Sequence, residues 1–236
     1  MKWFRLLVIV TLVGNFLLLA DSALTQSVDP NSSELWTDVG IRLELSSKAK
    51  ATFTQKFRFN ESMLRNYLSS PELEIRYKLM DRWYLEGGYR YENVRDNDGV
   101  FVDRYRIFAN TRFLAKYKPV MFEFRLQWQK EFRQNQDDGT PTRHILRTRL
   151  KAKLRRTPII NPYASIEMFQ RLDGFDEDIP AGTIQKWRFG LGMEWQCGPV
   201  DINARYYLVS PSHDPQDPTR HILSLGLQCN LSPWKN

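Results

Sequence analysis

The sequence is poor in cysteine and histidine, with two cysteines and three histidines among 236 residues. Two cysteines are too few for a disulfide-rich scaffold or for a zinc site built from cysteines. Three histidines leave little material for other metal chemistry. The mean hydropathy of −0.50 argues against a polytopic helical membrane protein. We therefore expect no cofactor and no metal.

The remaining composition narrows the class further. Hydrophobic residues make up 42%, which is too much for a disordered chain. The net charge is +7, from 34 basic and 27 acidic residues, a balance that by itself could suggest a nucleic-acid partner. The export signal and the placement of the charges, described next, argue against nucleic acid.

The N-terminus reads as a secretory signal peptide over residues 1–22. A short basic start is followed by an apolar run at 6–20, which is short for a spanning helix and typical of a signal core. Cleavage after Ser22, with Ala20 three residues from the cut, fits the small-residue rule. An uncleaved membrane anchor is the alternative. With cleavage, the mature chain leaves the cytoplasm.

From residue 35 onward the sequence alternates with a period of two, which predicts β-strands. Sorting the residues by parity places 22 basic and 11 acidic side chains on one face. The apolar face carries only Asp103 and Lys130. The predicted strands cover 35–46, 51–60, 71–79, 83–92, 101–117, 120–133, 143–155, 160–172, 184–196, 200–209 and 221–231.

The connections also alternate in length. Tight turns follow the odd strands, for example at 118–119, and longer polar loops follow the even strands, for example at 134–142 and 173–183. Short turns at one rim and long loops at the other are typical of an outer-membrane β-barrel, with the turns in the periplasm and the loops outside.

A soluble all-β protein is the alternative, because periodicity does not say which face points inward. Eleven strands would enclose an apolar interior too large for these side chains to fill. Aromatic residues near the strand ends also favour a membrane barrel with two interfacial girdles. The girdle residues are Trp83, Tyr91, Tyr117, Trp187 and Trp195, with Phe101 and Phe132 beside them.

The predicted fold is therefore an all-β, transmembrane, antiparallel up-and-down barrel with a charged lumen. Bacterial barrels of one chain have even strand numbers. We expect twelve strands, the twelfth coming from an N-terminal segment at 23–34, with ten strands as the alternative. Residues 35–236 form the barrel domain, and the location is the bacterial outer membrane, reached by export through the periplasm.

Several strand sequences resemble an uncharacterised bacterial outer-membrane family, domain of unknown function 2490. The resemblance is carried by Leu35–Gly40, Phe53–Phe59, Leu73–Tyr77 and Gly87–Tyr91 and extends over about residues 35–230. It implies a barrel and supplies no activity, partner or site residue. The long Asp/Pro-rich loops depart from the more compact members.

The sequence offers little catalytic chemistry. His144 and His221 stand in an identical hexapeptide, PTRHIL, on the lipid-facing parity, and no serine stands beside either in a recognisable motif. We interpret the repeat as a connection from loop to strand, and we do not expect an enzyme. Cys197 and Cys229 are a candidate disulfide on strands taken to be neighbours in an oxidising compartment.

The most informative feature is a basic wall on the lumenal parity. A simple register through the 117–120 turn pairs Arg106 with Glu131 and leaves Arg112 facing Arg125 without an acid. Uncompensated cations persist only if water or an anion solvates them. The candidate anion path consists of Arg104, Arg106, Arg112, Lys116, Arg125, Arg147, Arg149, Lys151, Lys153 and Arg155.

Two function classes lead. The first is a narrow anion-favouring pore or binding barrel for small solutes. The second is a non-conducting structural barrel that acts through its outer loops, and a lipid-modifying enzyme is the third. The expected partners are membrane lipid and lipopolysaccharide, with small anionic solutes as candidate ligands and no nucleic acid. The sequence leaves the oligomeric state open.

Overall fold

A computed structural model describes residues 33–60, 63, 65–95, 100–133, 142–155, 159–173, 180–212 and 218–231. The predicted signal peptide and most of the long loops lie outside these ranges. No helix within the described ranges is long and apolar enough to cross a membrane.

Eleven β-strands account for nearly all of the described chain, and each coincides with a predicted strand to within a few residues. The largest extension is in β3, which begins at Arg65. The strands are β1 (Ser33–Glu44), β2 (Ala49–Asn60), β3 (Arg65–Met80), β4 (Trp83–Arg95), β5 (Phe101–Tyr117), β6 (Val120–Arg133), β7 (Arg143–Leu154), β8 (Ile160–Arg171), β9 (Ile184–Cys197), β10 (Val200–Pro211) and β11 (Arg220–Leu231).

The strands close into a single barrel in chain order, with β1 paired to β11. All consecutive neighbours are antiparallel, whereas β1 and β11 are parallel from Ser33–His221 to Leu43–Leu231. Eleven alternating strands leave the first and last pointing the same way, from the long-loop rim to the tight-turn rim. The parallel seam therefore closes the barrel without a further strand.

The barrel of the described chain closes with eleven strands, one fewer than the twelve expected. Ser33 and Glu34, the end of the segment proposed as a twelfth strand, instead begin β1. Glu34 ties the seam together at this rim, because it accepts a hydrogen bond from Arg220 on β11 at 2.9 Å. Residues 23–32 lie outside the described ranges.

The barrel is inside out relative to a soluble protein, which confirms the predicted orientation of the two faces. On β6 the polar Glu123 and Gln127 are buried, at 9% and 3% exposed, whereas Phe122 and Phe124 are 39% and 42% exposed. Such a surface belongs in lipid. The charged face lines the lumen.

The two charged residues predicted on the apolar face, Asp103 and Lys130, both lie near the long-loop rim. Because β4 extends to Arg95, that residue also lies on this face, opposite Phe101. Asp103 accepts hydrogen bonds from Tyr91 Oη at 2.5 Å and from Asn93 Nδ2 at 2.9 Å. Lys130 lies over the ring of Phe132, with Nζ 4.9 Å from the centroid.

The predicted girdle residues lie at the two rims of the lipid-facing surface. Trp83 and Tyr117, at the tight-turn rim, are 39% and 78% exposed. Tyr91 lies at the long-loop rim. Trp187 and Trp195 stand near opposite ends of β9.

The two cysteines are free thiols, and the prediction that they lie on neighbouring strands is wrong. Both are in register with Val200, Cys197 from β9 and Cys229 from β11, so β10 runs between them. Two strand spacings separate their backbones by roughly 9–10 Å, which is too far for a disulfide.

Candidate functional site

The described residues enclose two large chambers in the lumen. A chamber of about 480 Å³ lies toward the long-loop rim, and another of about 810 Å³ lies toward the tight-turn rim. We call them the loop-side chamber and the turn-side chamber. Four side chains line both, and we call them the waist: Asp38, Lys56, Arg149 and Arg205.

Cations outnumber carboxylates in both chambers. The lining of the loop-side chamber carries thirteen basic and five acidic side chains, and that of the turn-side chamber carries nine and four. A low-dielectric wall focuses such a charge into the enclosed water.

The predicted basic wall is divided between the chambers. Arg104, Arg106, Arg125 and Arg147 line the loop-side chamber. On the turn side are Arg112, Lys151, Lys153 and Arg155, while Arg149 belongs to the waist. Lys116 lines neither chamber and is exposed at the tight-turn rim.

The predicted register of β5 and β6 is confirmed, and so is the pair of Arg106 with Glu131, at 2.7 Å. Arg112 does face Arg125, but the prediction that this pair lacks acids is wrong. Arg112 contacts Glu86 on β4 at 2.9 Å, and Arg125 contacts Glu167 on β8 at 2.8 Å. Acids from other strands reach these arginines.

Single carboxylates in the lumen serve several cations. Glu167 is 3% exposed and accepts hydrogen bonds from Arg125, from Arg147 at 2.9 Å and from Arg188 at 3.0 Å. Three guanidinium groups thus surround one carboxylate. Glu72 is likewise shared, by Lys56 and Arg90.

Three cations cluster around Phe169, two residues along β8 from Glu167. Arg147, Lys186 and Arg188 lie 4.7, 5.0 and 5.1 Å from its ring centroid. Within the described chain, no carboxylate lies within 4.0 Å of Lys186. Its ammonium group lies over the Phe169 ring in a cation–π arrangement. Lys186 also lines the loop-side chamber.

The waist is built from side chains that reach across the seam. Asp38 on β1 accepts hydrogen bonds from Arg58 at 2.8 Å and from Arg205 on β10 at 3.0 Å. The Arg205 side chain spans β11 beside Gly226, the seam partner of Asp38. A Cβ at Gly226 would lie 3.5 Å from Arg205 Nη2.

Aromatic side chains also face the lumen above the waist. Trp36 and Tyr207 pack with their centroids 6.1 Å apart, and Arg188 reaches across from β9 to lie 5.7 Å from the Trp36 ring. Tyr207 lies flat against the wall over Gly190, where a Cβ would lie 2.7 Å from its ring. These aromatic side chains line the loop-side chamber.

The cluster of Glu167, Phe169, Lys186 and Arg188 was not predicted from the sequence, because the basic residues of β5 and β7 dominate the charge pattern within single strands. One signal was available. Trp36, Phe169 and Tyr207 are aromatic residues on the polar parity of otherwise alternating strands. All three aromatic side chains line the loop-side chamber.

The two histidines of the repeated hexapeptide lie on the lipid-facing surface near the long-loop rim. His144 packs against Trp128, with centroids 5.8 Å apart. His221 Nδ1 lies 2.5 Å from Tyr206 Oη. No cluster of three potential metal ligands occurs among the residues that the structure describes.

Comparison with known proteins identifies a family. The model of the family described as protein of unknown function DUF2490 matches residues 33–209, from the start of β1 into β10. This match confirms the resemblance found in the strand sequences. No curated protein matches the chain.

Solved structures with a similar fold are bacterial barrels. The translocator domain of the autotransporter NalP from Neisseria meningitidis is 14% identical, with 72% of this chain and 71% of that one covered and a TM-score of 0.45. The β-domain of the Bordetella autotransporter BrkA is 13% identical, with 77% of this chain and 83% of that one covered and a TM-score of 0.47. A bacterial polysaccharide outer-membrane secretin is 11% identical, with 76% of this chain and 63% of that one covered and a TM-score of 0.50. This similarity concerns the fold alone.

Proposed function

The chain belongs to the DUF2490 family, and we propose that it is an outer-membrane barrel whose loop-side chamber binds small anionic solutes. The observation that carries the proposal is the lining of that chamber, with thirteen basic and five acidic side chains. The volume of about 480 Å³ lies in the range of small-molecule sites.

The binding position that we propose lies at Phe169 and Lys186. Lys186 has no acid to satisfy it in the described chain, and Arg147 and Arg188 share one carboxylate, Glu167. A phosphate or carboxylate group would complete this set, because guanidinium groups bind such anions in a bidentate manner. The aromatic ring holds the cations in place without neutralising them.

We favour a binding barrel over an open pore because of the waist. Asp38, Lys56, Arg149 and Arg205 line both chambers, and their ion pairs occupy the level between them. A solute bound on the loop side would meet this layer before reaching the turn side. Passage would require the waist pairs to open.

Calorimetric titration of the purified protein with phosphate, citrate and a neutral sugar tests this function. Phosphate or citrate should bind and the sugar should not. Lys186→Gln should weaken anion binding by about tenfold, the loss expected for one charge-assisted hydrogen bond. Lys118→Gln removes the same charge from an exposed turn and serves as the matched control.

Anion binding should also weaken with salt, since the screening length falls to about 3 Å at 1 M. Equal affinities for the Lys186 and Lys118 variants would refute the site. An absence of anion binding at any salt concentration would favour a structural barrel that acts through its loops.

The location is tested separately by fractionation. The protein should be recovered with outer membranes and should migrate differently on a gel before and after heating. Recovery as a soluble monomer without detergent would contradict the membrane placement.

A further inference from the structure

The lipid-facing surface carries a cation, Lys130, close to the long-loop rim. Lys130 is the only basic residue on the apolar face of the predicted strands. It lies on β6 and directly opposes His144 on β7. Directly opposed residues have Cβ atoms about 4.5–5.5 Å apart. An ammonium group and an imidazole therefore share one small patch of a surface that is otherwise apolar.

Aromatic rings flank this pair on both sides along β6. Phe132 lies beneath the Lys130 ammonium at 4.9 Å, and Trp128 packs against His144 at 5.8 Å. On the other side, Lys130 is paired with Ile107 of β5, which is apolar. The nearby Asp173 is already bound by Arg171 Nε at 2.5 Å and by the backbone amide of His144. Lys130 itself has no carboxylate within 4.0 Å in the described chain.

The depth of the patch matches the headgroup layer. A transmembrane strand needs about 9–11 residues to cross the hydrocarbon region. Ten residues counted from Val120, at the tight-turn rim, reach Gln129. Lys130 therefore stands just past the apolar layer, at the level where lipid phosphates lie.

We propose that Lys130 and His144 form a binding site for the phosphate group of a membrane lipid at the long-loop rim. The ammonium and imidazole groups would donate to phosphate oxygens, while Trp128, two residues closer to the membrane centre on β6, would contact the upper acyl chain. With the loops outside, the lipid is a phosphorylated lipid of the outer leaflet. The proposal rests on the membrane placement proposed above, but not on anion binding in the lumen.

The repeated hexapeptide provides an internal control. His221 occupies the same place in the second copy, but it opposes Leu208 and contacts Tyr206 Oη. It has no lysine opposite. The same local sequence therefore occurs once with a cation and once without.

Native mass spectrometry of the detergent-purified protein titrated with diphosphorylated lipid A tests the site. Lys130→Gln should weaken lipid A binding by about tenfold, and Lys130→Arg and His221→Gln should bind like the wild type. His144→Gln should weaken it by a smaller factor. Heat-modifiable migration checks that each variant is folded, and Lys186→Gln in the lumen should leave lipid A binding unchanged.

Two further arms identify the source of the phosphate. Lipid A stripped of both phosphates should bind no better to the wild type than to Lys130→Gln. Excess inorganic phosphate should fail to displace lipid A, and complete displacement would show a site for free phosphate and overturn the lipid assignment. Equal binding of lipid A by the wild type and Lys130→Gln would overturn the site itself.

Discussion

Arg112 and Arg125 directly oppose each other on β5 and β6, yet each guanidinium group is bound by a carboxylate from outside this pair of strands. Glu86 on β4 holds Arg112 at 2.9 Å, and Glu167 on β8 holds Arg125 at 2.8 Å. The Arg125 contact passes over β7. Charge in this lumen is therefore balanced across several strands, and a count along one strand does not reveal it.

Glu167 is the acid whose loss should matter most. Glu167→Gln leaves Arg125, Arg147 and Arg188 without their shared carboxylate. Breaking a buried pair by removing one partner costs about 3–5 kcal/mol, and the water in the chambers should place the loss near the lower value. Urea unfolding from lipid vesicles measures it.

Glu44→Gln is the matched control for Glu167→Gln. Glu44 pairs with Lys50 near the tight-turn rim, and its side chain is 43% exposed. Its loss should cost less than about 1 kcal/mol. Equal losses for the two variants would show that the Glu167 cluster is not a structural centre.

The assignment of faces predicts opposite tolerance at two adjacent residues. Phe124→Arg places a cation on the lipid-facing surface near mid-strand and should cost about 2–4 kcal/mol. Arg125→Gln should cost less, because Glu167 keeps Arg147 and Arg188. If unfolding measurements found Arg125→Gln more damaging, the two faces would be reversed.

Local alternation and turn length were sufficient to predict much of this fold. The period of two places Glu123 in the lumen and its neighbour Phe124 toward lipid. The tight turn between β5 and β6 sets the register that pairs Arg106 with Glu131. Contacts that depend on closure were beyond reach. Arg205 meets Asp38 only because β1 and β11 pair in parallel, which no local pattern indicates.

The same limit applied to the candidate site. The basic residues of β5 and β7 were visible as a pattern within single strands. The cluster at Phe169 instead joins β7, β8 and β9, and the absence of an acid beside Lys186 becomes evident only when all neighbouring strands are in place.

The separation of the cysteines predicts free thiols even after oxidation. Cys197 and Cys229 should both react with an alkylating reagent in the denatured, non-reduced protein, and reductant should not change its migration. A Cys197→Ala, Cys229→Ala double variant should unfold at the same urea concentration as the wild type. A disulfide detected by peptide mapping would contradict the register of β9, β10 and β11.

Asp173, just beyond β8 at the long-loop rim, should make stability depend on pH. Burial tends to raise the pKa of this carboxyl, but hydrogen bonds from Arg171 and the His144 backbone outweigh it, and the pKa lies below its ordinary value of 3.8. Its contribution to stability is therefore full above about pH 5 and is lost as the pH falls through the folded-state pKa.

Asp173→Asn should remove part of the acid-induced loss of unfolding free energy between neutral pH and about pH 2. Asp81→Asn, in an exposed turn where Asp81 pairs with Lys78 at 2.6 Å, is the control and should change that profile less. Identical acid profiles for the wild type and Asp173→Asn would show that Asp173 does not carry this dependence.

Planar-bilayer recording at low salt tests whether the waist closes the lumen and whether the lumen prefers anions. The wild type should show no steady conductance. The Asp38→Ser, Arg205→Ser double variant removes one waist ion pair without changing the net charge, and it should conduct with a preference for anions that declines as salt is added. Steady conductance in the wild type would show that the waist does not close the lumen. A double variant that conducts cations as readily as anions would show that the lumen has no preference for anions.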